Sequence, residues 1–279
     1  MSRNPLVPRL LVLHLLVFLA VPVLARDLEA RYEAGRQAFA AGRAAAALEH
    51  LRAVAAVDPG YRDVRMLLGQ ASLVDGLLRE AQRWFEEVLA ADPGNGHAAL
   101  LLGVTLHRAA RNVEAEAALL RAAELAPQNP HPRVFRGLAL FELGRVDEAR
   151  GEIETALALA PGEPTALVAL ARLELAAGRP AAAEALAADA LARAPGDRDA
   201  RLLYGRALFA GGRPAAAVPV FQEVLDASGE QSDVLYLLAQ ALLRSGRTAE
   251  GRDVLARFSE RKRREEELRV RRSRETLQN

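Results

Sequence analysis

The chain has no cysteine and a single lysine, Lys262. Without a thiol there is no disulfide, no thiolate zinc site, no cysteine nucleophile and no lipidated N-terminal cysteine. Aromatic residues make up only 5% of the 279, although hydrophobic residues reach 51%. Alanine and leucine therefore carry most of the apolar mass; they lose little on entering a helix, and β-branched and aromatic residues are scarce. The formal net charge is +1, too small a global field to argue for nucleic acid or for acidic partners. A glycine-rich phosphate loop, a G-x-S-x-G elbow and an H-E-x-x-H pair are all missing. No catalytic, cofactor-binding or metal site is expected, and the chain reads as a non-enzyme.

There is one long apolar run, at the start. Residues 1–9 carry Arg3 and Arg9 and no acid, and Leu10 to Ala25 follow unbroken by charge, interrupted only by His14 and Pro22. The run has 16 residues, short of the ~20 that a spanning helix needs. It closes Val23-Leu24-Ala25 before Arg26. A basic start, an apolar stretch of this length and small or branched residues at the −3 and −1 positions predict a secretory signal over 1–25. The expectation is a mature chain beginning at Arg26, periplasmic or secreted. The alternative is an uncleaved anchor that holds the protein on the inner membrane, facing the periplasm.

From Leu28 onward the chain repeats itself every 34 residues without insertion or deletion. One small position reads Gly35, Gly69, Gly103, Gly137, Ala171, Gly205 and Ala239. A second reads Gly42, Gly76, Ala110, Gly144, Gly178, Gly212 and Gly246, and a third Ala47, Ala81, Ala115, Ala149, Ala183, Ala217 and Gly251. Proline closes five units at Pro59, Pro93, Pro127, Pro161 and Pro195, with Gly229 in that place in the sixth. The units are 28–61, 62–95, 96–129, 130–163, 164–197, 198–231 and 232–265, followed by a charged tail over 266–279.

Each mark has a physical reading. Within a unit, the segments before and after the second small position both show apolar residues at helical spacing, as in Leu67, Leu68, Ala71 and then Ala81, Phe85, Val88, Leu89. Glycine at the Gly-Arg steps ends the first helix by adopting the left-handed conformation cheaply. Pro180 and Pro214 fit the first position of the second helix, where a missing N–H costs nothing. Asp58-Pro59 and Asp92-Pro93 stop the second helix. Pro219 falls inside a predicted helix, where it should remove one hydrogen bond and kink or delay it.

Small at 8, glycine at 15, alanine at 20, a bulky residue at 24 (Leu51, Phe85, Leu119, Phe221, Leu255) and proline at 32 resemble the tetratricopeptide-repeat (TPR) family. The resemblance covers residues 28–265 and departs at position 4, where arginine stands at Arg31, Arg65, Arg133 and Arg201. It implies an all-α fold: a right-handed superhelical solenoid of seven 34-residue helix-turn-helix units with a charged C-terminal helical extension. One hairpin cannot bury its own apolar face, so neighbours stack. It also implies a non-catalytic scaffold for protein–protein interaction, akin to the exported TPR proteins of bacterial envelope assembly. The alternative is a membrane-tethered accessory subunit of an enzyme or a secretion machine.

In the family the first helices line a concave face, with positions 2, 5, 9, 12 and 13 pointing into it. Carried over, position 5 is Tyr32, Met66, Leu100, Val134, Val168, Leu202 and Tyr236. Position 12 is Phe39, Leu73, His107, Phe141, Leu175, Phe209 and Leu243. Position 9 places Arg36 at one end and Arg172 and Arg206 at the other, with Gln70, Val104, Leu138 and Gln240 elsewhere. The expected site is an apolar groove for a peptide or amphipathic helix, unless these side chains are consumed in packing between hairpins. A lysine–asparagine carboxylate clamp, used by some family members, is not present: no unit has asparagine at position 9. His97 and His131 share a position in adjacent units, and with His107 they read as surface or groove histidines, since no carboxylate or cysteine stands at ligand spacing beside them.

From Arg257 to the end there are nine basic and five acidic residues. Pairs such as Glu260–Arg264, Arg261–Glu265, Lys262–Glu266, Glu265–Arg269 and Glu267–Arg271 predict an exposed helix. The tail reads as a solvated helical extension that caps the seventh unit. The alternative is a basic contact to anionic lipid or to a partner, with the N-terminus as the other place for membrane contact and no nucleic acid among the partners. Oligomeric state is not legible here.

Overall fold

A computed structural model describes residues 26–229 and 231–278. The expected signal or anchor over 1–25 lies outside the described residues. Among the described residues, every regular element is a helix, and none is long and apolar enough to cross a membrane. The chain falls into two compact units, Met1–Pro127 and Gln128–Asn279.

The first unit holds three helical hairpins. They are α1 (26–40) with α2 (Ala44–Val57), α3 (Val64–Val74) with α4 (Leu78–Ala91), and α5 (Gly96–Arg108) with α6 (Asn112–Leu125). The second unit holds four: α7 (His131–Glu142) with α8 (Val146–Leu159), α9 (Pro164–Ala176) with α10 (Pro180–Arg193), α11 (Arg198–Ala210) with α12 (Pro214–Ser228), and α13 (Ser232–Arg244) with α14 (Thr248–Gln278). Within the second unit each first helix also packs on the next, α7 on α9, α9 on α11 and α11 on α13. This is the stacked-hairpin architecture that the period implies.

The hairpins turn where the chain lacks a side chain that would object. Gly42, Gly76, Gly144, Gly178, Gly212 and Gly246 all have φ between +71° and +84°. The next residue donates its N–H back to the helix end: Arg43 to Ala38, Arg145 to Leu140 and Arg247 to Leu242, each at 2.9 Å. That pattern satisfies the orphan carbonyls of the helix end. Ala110 performs the same turn with φ +58° and bears the strain of its Cβ.

The first small position is explained by close approach between the two helices of one hairpin. A Cβ on Gly69 would come within 2.5 Å of the Phe85 ring, and one on Gly103 within 2.4 Å of Leu119. Gly35 stands likewise against Leu51, Gly137 against Ile153 and Gly205 against Phe221. The glycine accepts the bulky residue from the second helix.

Three sequence features take an unexpected form. Pro219 neither delays nor interrupts α12, which runs unbroken from Pro214 to Ser228. It lies on the exposed side, past the first turn, so only one backbone bond is lost, to the carbonyl of exposed Ala215, and Ala217 and Phe221 keep their buried places. Three of the position-4 arginines replace an apolar contact between the two helices of a hairpin with an ionic one: Arg65–Glu87 at 3.4 Å, Arg133–Glu152 at 3.4 Å and Arg201–Glu223 at 3.5 Å. The boundary between last hairpin and tail is not marked in the backbone, because α14 continues across it for 31 residues. Along it Glu260 pairs with Arg264 at 2.9 Å and Arg261 with Glu265 at 3.4 Å, while Lys262 takes Glu265 (3.1 Å) and Arg269 takes Glu266 (2.7 Å). Ser232 donates to Glu265 at 2.8 Å, which ties the start of α13 to the extension.

Candidate functional site

Position 5 points inward over much of the chain. In the first unit Tyr32 is 5% exposed and Leu100 7%, while Met66 is half-buried. In the second unit Val134 has no exposed surface, Val168 has 7% and Leu202 is half-buried. Only Tyr236, at 46%, stands open, with its ring 5.5 Å from Phe258 of the next helix. Position 12 behaves differently. Phe39, His107, Phe141, Leu175, Phe209 and Leu243 are all half-buried, leaving a rim of apolar surface on the first helices; Leu73 alone is buried.

The first unit closes its face with a polar network. The Tyr32 hydroxyl donates to Asp63 and that of Tyr61 to Glu29, and the two rings meet edge to face at 5.6 Å. The Arg62 guanidinium lies 5.1 Å and 5.7 Å from the two ring centres and pairs with Glu29 at 3.0 Å and Glu33 at 3.4 Å. Burial, with the bond to Asp63 adding to it, pushes the Tyr32 phenol up to about 12. Arg36, expected at this end of the groove, pairs with Glu33 at 2.7 Å. Further along, Arg108 donates to the carbonyl of Leu73 at 2.9 Å, His107 meets Asn112 at 2.8 Å and His97 meets Gln70 at 3.2 Å. These two histidines thus sit in ordinary polar contacts, and among the described residues no group of three potential metal ligands gathers.

The second unit leaves its face open and cationic. Arg172 on α9 and Arg206 on α11 make no ion pair with any described residue, and Arg244 on α13 lies over the Phe209 ring at 4.5 Å. Leu138 on α7 and Gln240 on α13 are half-buried beside the same row. Arginine over an aromatic face is favourable and leaves the guanidinium edge free to donate.

Two features were not anticipated from sequence. Glu174 is 7% exposed and is gripped by Arg150 at 2.7 Å and by Arg179. The bond from Arg179 holds its carboxyl below the usual carboxylate range, against the opposing effect of burial. The available signal was its register: the same position is Leu106, Leu140, Leu208 and Leu242 in other hairpins. The second is a cleft of about 610 Å³ among α12, α13 and α14. Val218, Leu238, Leu242 and Val254 form its apolar wall, and Gln222, Arg247, Glu250, Asp253 and Arg257 its polar rim, with Pro219 at the edge.

Two family models, both described as Tetratricopeptide repeat, match the sequence: one over residues 133–164 and 168–232, the other over 38–88, 75–140 and 208–269. No curated protein matches. Among solved structures, a tetratricopeptide repeat protein from Parabacteroides merdae is 17% identical, with 84% of this chain and 93% of that chain covered and a TM-score of 0.63. A thermophilic TPR protein from Thermus thermophilus is 28% identical over 65% of this chain and 99% of that one, with a TM-score of 0.57. PilW, a type IV pilus biogenesis factor, is 19% identical, with 76% and 98% covered and a TM-score of 0.61.

Proposed function

The chain belongs to the tetratricopeptide-repeat family, a fold that serves protein–protein interaction, and from that premise we propose a non-catalytic scaffold of the bacterial envelope. Its first helices bind a peptide or amphipathic helix of a partner protein on their concave side. The observation that carries this reading is the half-buried row at position 12, above all Phe141, Leu175, Phe209 and Leu243 in the second unit. Large apolar side chains left half open in register on successive helices are what a segment laid across them would cover. The envelope location rests on the basic start, the apolar run and the Val23-Leu24-Ala25 end of residues 1–25.

Pull-down after crosslinking with a photoreactive reagent, which needs no lysine, compared between wild type and Phe141→Glu/Phe209→Glu, tests the surface. Both sites are half-buried, so a carboxylate at each disrupts an apolar contact while the array remains folded, as circular dichroism should verify. Loss of the partner is expected, and a partner retained unchanged refutes this surface for it. Mass spectrometry of the mature N-terminus tests the location. A start at Arg26 supports the exported scaffold; an intact Met1 supports the membrane-tethered accessory subunit instead.

A further inference from the structure

On the first helices of the second unit, arginines near the hairpin ends and inner faces are paired. Arg133 and Arg136 hold Glu152, and Arg201 holds Glu223. Arg172, Arg206 and Arg244 break the rule, each without an ion pair or hydrogen bond to any described residue. They are not scattered. Arg172 and Arg206 occupy the same register of α9 and α11, and Arg244 stands four residues further along the register of α13, one helical turn away. Each flanks a half-open apolar side chain of position 12: Leu175 three residues after Arg172, Phe209 three after Arg206, and Leu243 immediately before Arg244.

We propose that this row takes an acidic, extended peptide segment of the partner protein. This rests on the reading above, that the first-helix face binds a peptide, and adds what the peptide must carry. Helices packed side by side lie about 8–10 Å apart, and an extended chain in the polyproline II form advances about 3.1 Å per residue with three residues per turn, so that every third side chain shares one face. Carboxylates at every third residue therefore meet successive arginines, and apolar residues between them meet Leu175, Phe209 and Leu243. Arginine takes a carboxylate through two parallel N–H donors, and α9, α11 and α13 present those donors from rigid elements. The same helices also carry exposed carboxylates, Asp199 and Asp233 near the starts of α11 and α13. That alternation suits separate acidic side chains and opposes the continuous phosphate charge of a nucleic acid.

The test uses the full chain and three probes in fluorescence anisotropy. The first is a nine-residue peptide with glutamate at every third position and leucine beside each; the second is the same peptide with glutamine for glutamate; the third is a single-stranded oligonucleotide. The acidic peptide should bind wild-type protein at least about tenfold more tightly than its glutamine version. Arg172→Gln/Arg206→Gln/Arg244→Gln should abolish that preference with the helical circular dichroism spectrum retained and only the small loss of melting temperature that the Arg244–Phe209 contact supplies. Equal binding of both peptides to wild type and triple variant overturns the acidic partner while leaving the apolar peptide surface standing. No binding of either peptide, or tighter binding of the oligonucleotide, overturns the proposal. Failure of the surface itself is read separately, from the Phe141→Glu/Phe209→Glu pull-down.

Discussion

In the hairpin α3–α4 a glycine lies beneath a ring: Gly69 leaves no room for a Cβ because Phe85 fills the space. In α9–α10 the same two positions are Ala171 and Ala187, both fully buried. The buried side of α4 is Ala81, Trp84 and Phe85, whereas that of α10 is Ala183, Ala187 and Ala190. What the 34-residue spacing constrains is the combined size of two facing side chains rather than either residue. The two solutions are not energetically equal. Each large side chain removed from water stabilises by roughly 1.5–3 kcal/mol, and the alanine-filled hairpin forgoes that. It has instead the tie from Glu174 to Arg150 of the preceding hairpin and to Arg179 of its own.

The contrast can be broken most forcefully at the ring. Phe85→Ala should cost about 3–5 kcal/mol in urea unfolding, while Ala187→Gly should cost about 1 kcal/mol, the helix-propensity difference alone. Comparable losses at the two sites would mean that the hairpins are not filled in different ways. The size-sum argument is sharper still in a double-mutant cycle. Ala187→Leu should destabilise by about 1–3 kcal/mol through overpacking against Ala171, and adding Ala171→Gly should recover most of it; additive effects would sink the idea.

The ionic tie predicts an effect of about 1–2 kcal/mol. Glu174→Ala should cost that much, less than the roughly 3–5 kcal/mol of a fully buried pair, since both arginines keep contact with water. Glu174→Leu, the residue of the other hairpins, should stay within about 1 kcal/mol of wild type. The folded carboxyl is held below its unfolded range, so the unfolded state binds the extra proton. The stabilisation is present above the ordinary carboxylate range and is lost as pH falls through the lowered value. Melts from neutral to acid pH should show a smaller acid-side loss in Glu174→Leu than in wild type. The smallest effect lies in the turns: Ala110→Gly should gain roughly 1 kcal/mol by relieving the left-handed Cβ, and Gly178→Ala should lose about as much.

Features set by a few neighbouring residues were readable from the chain itself. The left-handed glycines, the prolines opening α10 and α12, and the pairing of helices all follow from local chemistry and the repeat. What escaped depends on partners far along the chain. Val134 and Tyr236 hold the same register, yet one is sealed and the other open, because burial is decided by neighbouring hairpins. Arg36 could not be seen as neutralised, nor Glu174 as buried, without knowing which side chains meet them. Pro219 removes its one bond yet leaves α12 unbroken for a related reason: the cost of the missing bond depends on whether the freed carbonyl faces solvent or core.

The lone lysine, on the exposed side of α14 with its ammonium against Glu265, confines side-chain amine chemistry to one position. A fluorophore or spin label delivered through an amine-reactive ester lands on Lys262 or on the chain's terminal amine and leaves α9, α11 and α13 untouched. That gives a reporter on the C-terminal helix without engineering a cysteine. It also means that conventional lysine crosslinkers will be nearly blind to contacts made anywhere else on the array.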